Sequence, residues 1–380
     1  MREIVCISTS NFYPFPTRKQ NVMRRLSNAK IIYIDPPVTL IAPLKDKTSK
    51  PRLTAYRKGG ERVQDKEDIT VYAPPPVLPF GNKYRWINSI NQRHLARYIN
   101  KIIKQQGFAK PYLWCYTPTA CDLIANIDHS GVIYDCVDRH SAYQGMINPD
   151  VVDKMEEDLA RVADMVFCTA AGLERTLIEY NRRTKMIANG ANYPLFMQAA
   201  TFTPPERRQK PVFGFVGMLQ ECIAYDYIVA LAEAMPEAEI VFVGRVMPGV
   251  DISQLKKYDN IKFLGLQPQE KLPEIISPFD VCLNVFRSGR LALDVSPLKL
   301  YEYLATGKPI VSTKEPLQVR DFADVVYIAE NCNDFVAKCQ EALLEDDQAK
   351  RLRRQEYGKA CSWDNRVRQM EEELERLGIF

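Results

Sequence analysis

The chain has 380 residues, with 46% hydrophobic and 26% charged, a composition of roughly two soluble globular domains that excludes a low-complexity or disordered polymer. Its ten cysteines form no C-x-x-C pair and no Cys/His cluster at zinc spacing, and Cys6, Cys115, Cys168 and Cys282 lie in apolar runs, so they read as reduced core thiols of a cytoplasmic protein. The net charge of +4 hides 21 Lys+Arg against 7 Asp+Glu through Lys110, and 30 against 40 thereafter, an asymmetry that suits one end to a polyanion: nucleic acid, an anionic membrane or a phosphorylated substrate.

The N-terminus "MREIVCISTSNF" has a short apolar run of strand length and no secretory cleavage site. No stretch approaches the ~18 uninterrupted apolar residues of a membrane span. In chain order the strand-like runs are "EIVCIST", "KIIYIDP", "ITVYAPP", "PYLWCYT", "VIYDCVD", "MVFCTA" and "KMIANG". Helical patterns fall between most of them, at 19–28, 86–106, 119–127, 150–164 and 170–180. Apolar strands without polar alternation, separated by helices, predict a parallel sheet covered on both faces. The proline-rich 194–211 reads as a linker. The alternation then restarts with "VFGFVG", a helix over 225–235, "EIVFVG", "IKFLG", a helix near 269–277, "VCLNVF", a helix after "DVS", "PIVST" and "VVYIA". The expected fold is α/β, two doubly wound Rossmann-like parallel-sheet domains in tandem. The expected divisions are an N-terminal domain 1–193, a linker 194–211, a C-terminal domain 212–361, and a closing helix 362–380 that packs back on the first domain.

Residues 294–313, "DVSPLKLYEYLATGKPIVST", carry the most chemistry. Ser296 is a good N-cap, Pro297 suits the first helical position, and Gly307 with Pro309 stops the helix. In an open parallel sheet, ligands bind beyond the carboxyl ends of strands, where helix N-termini present free N–H groups suited to phosphate. Lys299 in the first turn adds a positive charge. Glu302, one turn on and roughly 60° round, is placed to accept hydrogen bonds from sugar hydroxyls. Phosphate at the helix start and ribose one turn along describe a nucleoside diphosphate. The alternative is a surface i,i+3 ion pair of little consequence. Asp294 is either part of the same constellation or a loop carboxylate capping backbone N–H groups.

"NIKFLGLQPQEKLPEIISPFDVCLNVF…SPLKLYEYLATGKPIVST" resembles the donor-binding domain of GT-B glycosyltransferases, and the spacing of Asp294 and Glu302 is similar to their paired-carboxylate motif. "TRKQNVMRRLSNAKIIYIDPP", "VIYDCVDRHSAY" and "IANGAN" are similar to the bacterial glycosyltransferases of teichuronic-acid and exopolysaccharide assembly, with the xanthan glucuronosyltransferase a more distant relative. The resemblance implies two domains facing across a cleft, a nucleotide-diphosphate sugar (a UDP-sugar) as donor, and a polyprenyl-diphosphate-linked glycan as acceptor. Besides Lys299, Glu302, Ser296 and Asp294, it marks Leu298, Arg245, Gly217 and Leu266 for the nucleotide sugar. Three departures stand out. Asp294 replaces the glutamate of many retaining members, "GFVGMLQECIAYDY" lacks their diphosphate-holding Arg and Lys, and "SNFYPFPTRKQ" replaces a Gly-Gly loop. The phosphate role therefore moves towards Lys299, the helix start and Arg245, with Arg287 and Arg290 as further candidates.

Asp138, at the end of "GVIYDCVDRHSAY", matches the carboxylate that resembling inverting enzymes use as general base. It could equally cap the next segment or pair with Arg139, and His140 is a second candidate base. Asp135 falls in mid-strand and reads as structural; His94 and His129 suggest nothing. Arg18, Lys19, Arg139 and His140 are expected on the acceptor side. No Asp-x-Asp pair is present, so no metal and no cofactor beyond the donor are expected. The segment 82–107 reads as one long helix, its apolar stripe (Trp86, Ile87, Ile90, Leu95, Tyr98, Ile99, Ile102, Ile103) packing on the sheet or resting on anionic lipid. With Arg18, Lys19, Arg24 and Arg25 opening another helix, the basic end favours a peripheral position on the inner face of the cell membrane; no nucleic-acid motif is present. The expected function is metal-independent glycosyl transfer in bacterial surface-polysaccharide synthesis, inverting with Asp138 as base or retaining without one. A nucleotide-sugar epimerase and a non-enzymatic sugar-nucleotide sensor are the alternatives.

Overall fold

The structure, a computed structural model, describes all residues except Gln144, 202–209, 290–292, Asp346 and the side chain of Lys45. Arg290, a candidate by sequence, lies outside the described residues. The chain divides into two compact units, Met1–Ala188 with Val367–Phe380, and Asn189–Arg366.

The first unit holds eight strands: β1 (Arg2–Ile7), β2 (Ala29–Ile34), β3 (Glu61–Val63), β4 (Lys66–Tyr72), β5 (Tyr112–Cys115), β6 (Gly131–Cys136), β7 (Met165–Cys168) and β8 (Thr184–Met186). Their order is β3-β4-β2-β1-β5-β6-β7-β8, and every pairing except β3–β4 is parallel. Strand periodicity explains the unbroken apolar runs. Val5, Ile7, Ile32 and Ile34 enter one core cluster, whereas Ile4, Cys6, Ile31 and Tyr33 enter another. Successive side chains point to opposite faces and both faces are covered.

The second unit holds β9 (Val212–Val216), β10 (Glu239–Val243), β11 (Ile261–Phe263), β12 (Val281–Asn284), β13 (Ile310–Thr313) and β14 (Tyr327–Ala329), in the order β11-β10-β9-β12-β13-β14. All are parallel. The strand order reverses between β9 and β12, and between β1 and β5 in the first unit. Such switch points are where doubly wound sheets open a crevice at their carboxyl ends.

Several local expectations are corrected. Residues 119–127 form two short 3-10 turns, Pro118–Asp122 and Ile124–Asn126, not an α-helix. Part of 194–211 is helical, Tyr193–Phe196 followed by a 3-10 turn Met197–Ala200, with Phe196 fully buried. The long helix runs Arg85–Gln106 and ends at Gly107, whose φ of 70° supplies the left-handed cap. Ile87, Leu95, Ile99, Ile102 and Ile103 are buried, but Trp86 and Ile90 of the same stripe are exposed.

Candidate functional site

The helix Leu298–Thr306 starts one residue later than expected. Its N-cap is Pro297, and no side chain caps it. Ser296 is engaged elsewhere: the Asn189 N–H donates to its Oγ at 3.0 Å. The Leu300 N–H donates to the Pro297 carbonyl at 3.0 Å, which leaves the N–H groups of Leu298 and Lys299 as the ones that face an external acceptor. Gly307, with φ of 74°, closes the helix as expected.

Lys299 and Glu302 are not a surface ion pair. Glu302 is 7% exposed, Lys299 is half-buried, and among the described residues no carboxylate lies within ion-pair distance of the Lys299 amine. That amine instead sits over two aromatic rings, 4.2 Å from the centroid of Phe215 and 4.5 Å from that of Phe286. Phe215 belongs to β9, and Phe286 lies two residues past β12. The ammonium therefore stands at the switch point of the second sheet. The ring faces offer partial negative charge in place of a full counter-ion. Burial pulls Lys299 down from 10.5 to about 8, opposed by the Cys222 thiol and Glu302. Burial pushes Glu302 up from 4.5 to about 8, opposed by Lys299 and a side-chain hydrogen bond with Gln269. Two ionisable groups are thus held away from their ordinary values by desolvation, which an anion and a hydroxyl would relieve.

The main chain makes room for this. Gly217 follows β9 with φ of 148°, and a Cβ there would stand 3.0 Å from Lys299 Cε. Gly244 follows β10 with φ of 147°, and a Cβ there would stand 1.9 Å from the Gly217 carbonyl oxygen. Asp294 is buried at 5% exposure, and Leu298 is half-buried. Arg245, Arg287 and Leu266 are exposed, Arg245 with its guanidinium 3.8 Å from the Met247 sulfur. Sequence reasoning singled out Lys299, Glu302 and Gly217, which the structure brings together, and did not single out Phe215, Phe286, Gln269 and Gly244 beside them. An aromatic residue in a strand carries no signal beyond burial.

In the first unit, Asp138 lies just past β6 and accepts a hydrogen bond from the Tyr143 hydroxyl at 3.0 Å. Arg139 is engaged with Thr176, Nη2 donating at 3.2 Å. His140 is 7% exposed, and among the described residues its Nε2 has no hydrogen-bond partner. Burial, reinforced by Lys19, holds its ring at about 3, so it is a poor proton acceptor near neutrality.

The basic start of the first helix, Arg18–Arg25, is not the exposed patch expected. Arg18 is 2% and Lys19 8% exposed. Arg18 Nε donates to both oxygens of Asp135, at 3.0 and 2.9 Å, and Nη1 to the carbonyls of Ile187 and Ala188. A polar side chain in mid-sheet needs such a partner, and Arg18 is that partner. Lys19 stands 5.9 Å from the centroid of the Tyr116 ring; burial lowers its amine, opposed by Asp138 and Asp135. Arg24 pairs with Asp65. Arg25 reaches Asn21. Among the described residues no group of three or more His, Cys, Asp or Glu is placed to hold a metal ion.

Residues 210–346 match the family model "Glycosyl transferases group 1". The chain is 26% identical over 281 residues to a Bacillus subtilis (strain 168) glycosyltransferase named for teichuronic acid biosynthesis, TuaH, a match covering 68% of this chain and 70% of that one. Among solved structures it resembles sucrose-phosphate synthase from Thermosynechococcus elongatus, with TM-score 0.73, 14% identity, and coverage of 100% and 99% of the two chains. It also resembles Anabaena HepE in complex with UDP and glucose, with TM-score 0.64, 13% identity and 99% of each chain covered. A third is an E. coli trehalose-6-phosphate protein bound with UDP-2-fluoro glucose, with TM-score 0.69, 12% identity, and 98% and 99% covered. The fold is therefore GT-B, and the chain, with a glycosyl transferases group 1 domain in its second unit, is a glycosyltransferase.

Proposed function

We propose that the chain transfers a sugar from a UDP-sugar to a lipid-linked glycan in the synthesis of a bacterial surface polysaccharide. The observation that carries the donor half is the Lys299–Glu302 arrangement. A desolvated ammonium and a desolvated carboxyl lie one helical turn apart, beside an uncapped helix start at the sheet's switch point. A diphosphate would give the Lys299 ammonium a counter-charge and meet the N–H groups of the helix start, while ribose hydroxyls would donate to Glu302. Two of the solved relatives were bound with UDP or a UDP-sugar, which supports uridine as the base. The polysaccharide context is that of the B. subtilis relative.

In the transfer, the acceptor hydroxyl oxygen attacks the anomeric carbon and its proton passes to the Asp138 carboxylate. The bond from that carbon to the diphosphate oxygen breaks, and UDP leaves with the electron pair. Tyr143 orients the base. The N–H groups and Lys299 stabilise charge on the leaving oxygen without having to reorganise. The product is inverted, and no metal is invoked.

The acceptor half rests on surface chemistry in the first unit. Leu44, Leu40, Tyr84, Trp86 and Ile90 are 86%, 51%, 45%, 64% and 40% exposed, and Lys47, Lys58, Lys83 and Arg93 are exposed near them in sequence. Aromatic and aliphatic side chains with lysines and arginines suit an anionic bilayer surface. No helix among the described residues is long and apolar enough to cross a membrane.

Calorimetric titration with UDP tests the donor site. Binding to the native chain that weakens in Lys299→Ala and Glu302→Ala is expected; unaltered affinity in both variants would remove the basis of the reading. Sedimentation with anionic vesicles, reversed by salt, tests the surface.

A further inference from the structure

Between the loops that follow β2, β4, β5 and β6 and the first half of the helix Arg85–Gln106 lies a cavity of about 400 Å³, all of it in the first unit. We propose that this cavity is a subsite for an uncharged sugar unit of the acceptor glycan, other than the unit that reacts. The inference rests on the reading of the first unit as the acceptor-binding half.

Three observations carry it. The first is composition. In a unit rich in lysine and arginine, none of the described residues lining the cavity is charged. Phe80 and Met146 offer apolar surface, and Thr39, Asn82, Gln92 and Thr117 offer amides and hydroxyls. Gln92 is more than nine-tenths buried and its Nε2 donates to Asn88 Oδ1 at 3.2 Å, while Asn88 and Asn91 are engaged by Thr119, Asp122 and Leu78 and hold the wall in place. A phosphate or carboxylate would enter without a counter-charge, and a lipid tail would strip water from the Thr39 hydroxyl and the Asn82 amide without replacing it. A neutral sugar has an apolar face for the ring and hydroxyls for the amides.

The second is backbone strain. Phe80 has φ of 70°, a left-handed conformation that a bulky side chain rarely adopts. Gly81, which would adopt it freely, is the next residue. Strain of this kind marks sites where a side chain is needed at one point in space.

The third is that the loop is held there. Asn91 accepts from the Leu78 N–H and donates to the Leu78 carbonyl, both at 2.9 Å. The Phe80 carbonyl accepts from the N–H groups of Lys83 and Tyr84 at 2.9 and 3.0 Å. An aromatic ring is thus fixed at a preformed, amide-lined cavity of small-ligand size.

The test is saturation-transfer NMR on the full chain in the presence of UDP, with glucose, galactose and N-acetylglucosamine as neutral probes and glucuronate and a short isoprenol as controls. A neutral sugar should receive saturation. Its affinity should fall roughly three- to ten-fold in Phe80→Gly, as expected for loss of one aromatic stacking contact, and also in Met146→Trp, which narrows the cavity. Thermal unfolding of Phe80→Gly should be unchanged or raised, because glycine relieves the φ; a merely structural ring would lower it and leave sugar binding alone. Saturation reaching no neutral sugar, passing equally to glucuronate or the isoprenol, or surviving both variants would overturn the proposal. UDP titration of the same samples reads the donor site independently, so its loss on Lys299→Ala alongside such a result would reject the sugar subsite alone.

Discussion

Glu302→Gln should make the protein more stable at alkaline pH while impairing nucleotide binding. The carboxyl is raised from 4.5 to about 8, so the folded chain holds a proton that the unfolded chain releases. Stability tied to this group is therefore full below pH 4.5 and is lost as pH rises to about 8. At 1.36 kcal/mol per pH unit the loss is about 5 kcal/mol. Glutamine keeps the shape and cannot ionise, so the variant avoids it. The attraction of Lys299, which opposes the rise, is already contained in that shift, so the net gain at alkaline pH is about 5 kcal/mol. Urea unfolding of both proteins at pH 5 and pH 8.5 measures this. Near-equal stabilities at pH 5, with the variant ahead at pH 8.5, are expected. Saturating UDP should narrow the gap by stabilising only the native protein. A gap that does not depend on pH, or a variant weaker at both values, would refute the claim that Glu302 is a desolvated carboxyl held for a ligand.

UDP affinity of the native chain should fall above pH 8 by up to tenfold per pH unit. Lys299 loses its proton there, at about 8 rather than 10.5, and calorimetry across pH 7–10 checks it. Gly217→Ala should weaken UDP binding, because its methyl group would press on Lys299 Cε from 3.0 Å at a φ of 148°; titration of the variant shows it. Asp138→Asn should lower turnover by roughly 10²–10⁴ and leave UDP affinity unchanged, read from nucleotide release and calorimetry. Arg354→Met, far from this chemistry in role, should destabilise by about 3–5 kcal/mol in urea. It strips the buried Glu345 of contacts at 2.6 and 2.8 Å.

The sheets were legible because burial on both faces writes itself into sequence as continuous apolar runs. The antiparallel β3, a three-residue edge strand with two exposed positions, leaves no such trace. The Lys299–Glu302 spacing was legible as a constellation, but its burial was not. Spacing places two residues on one helix face without saying what covers it, and the cover comes from Phe215 and Phe286, 84 and 13 residues earlier. Arg18 misled for a related reason. A basic residue opening a polar helix looks like surface, and only the fold brings Asp135, 117 positions away, against it. Ser296 has every property of an N-cap, yet tertiary contact with Asn189 overrides local preference. The strain at Phe80 had no signal at all, since glycine stands beside it.

The contact between Gly217 and Gly244 bears on how such enzymes diverge. Where the Gly217 carbonyl touches the Gly244 α-carbon, position 244 has no room for a side chain, so this part of the site is bare main chain. Any change in the shape of this pocket has to come from the side chains around that floor, Lys299 and Phe215 among them.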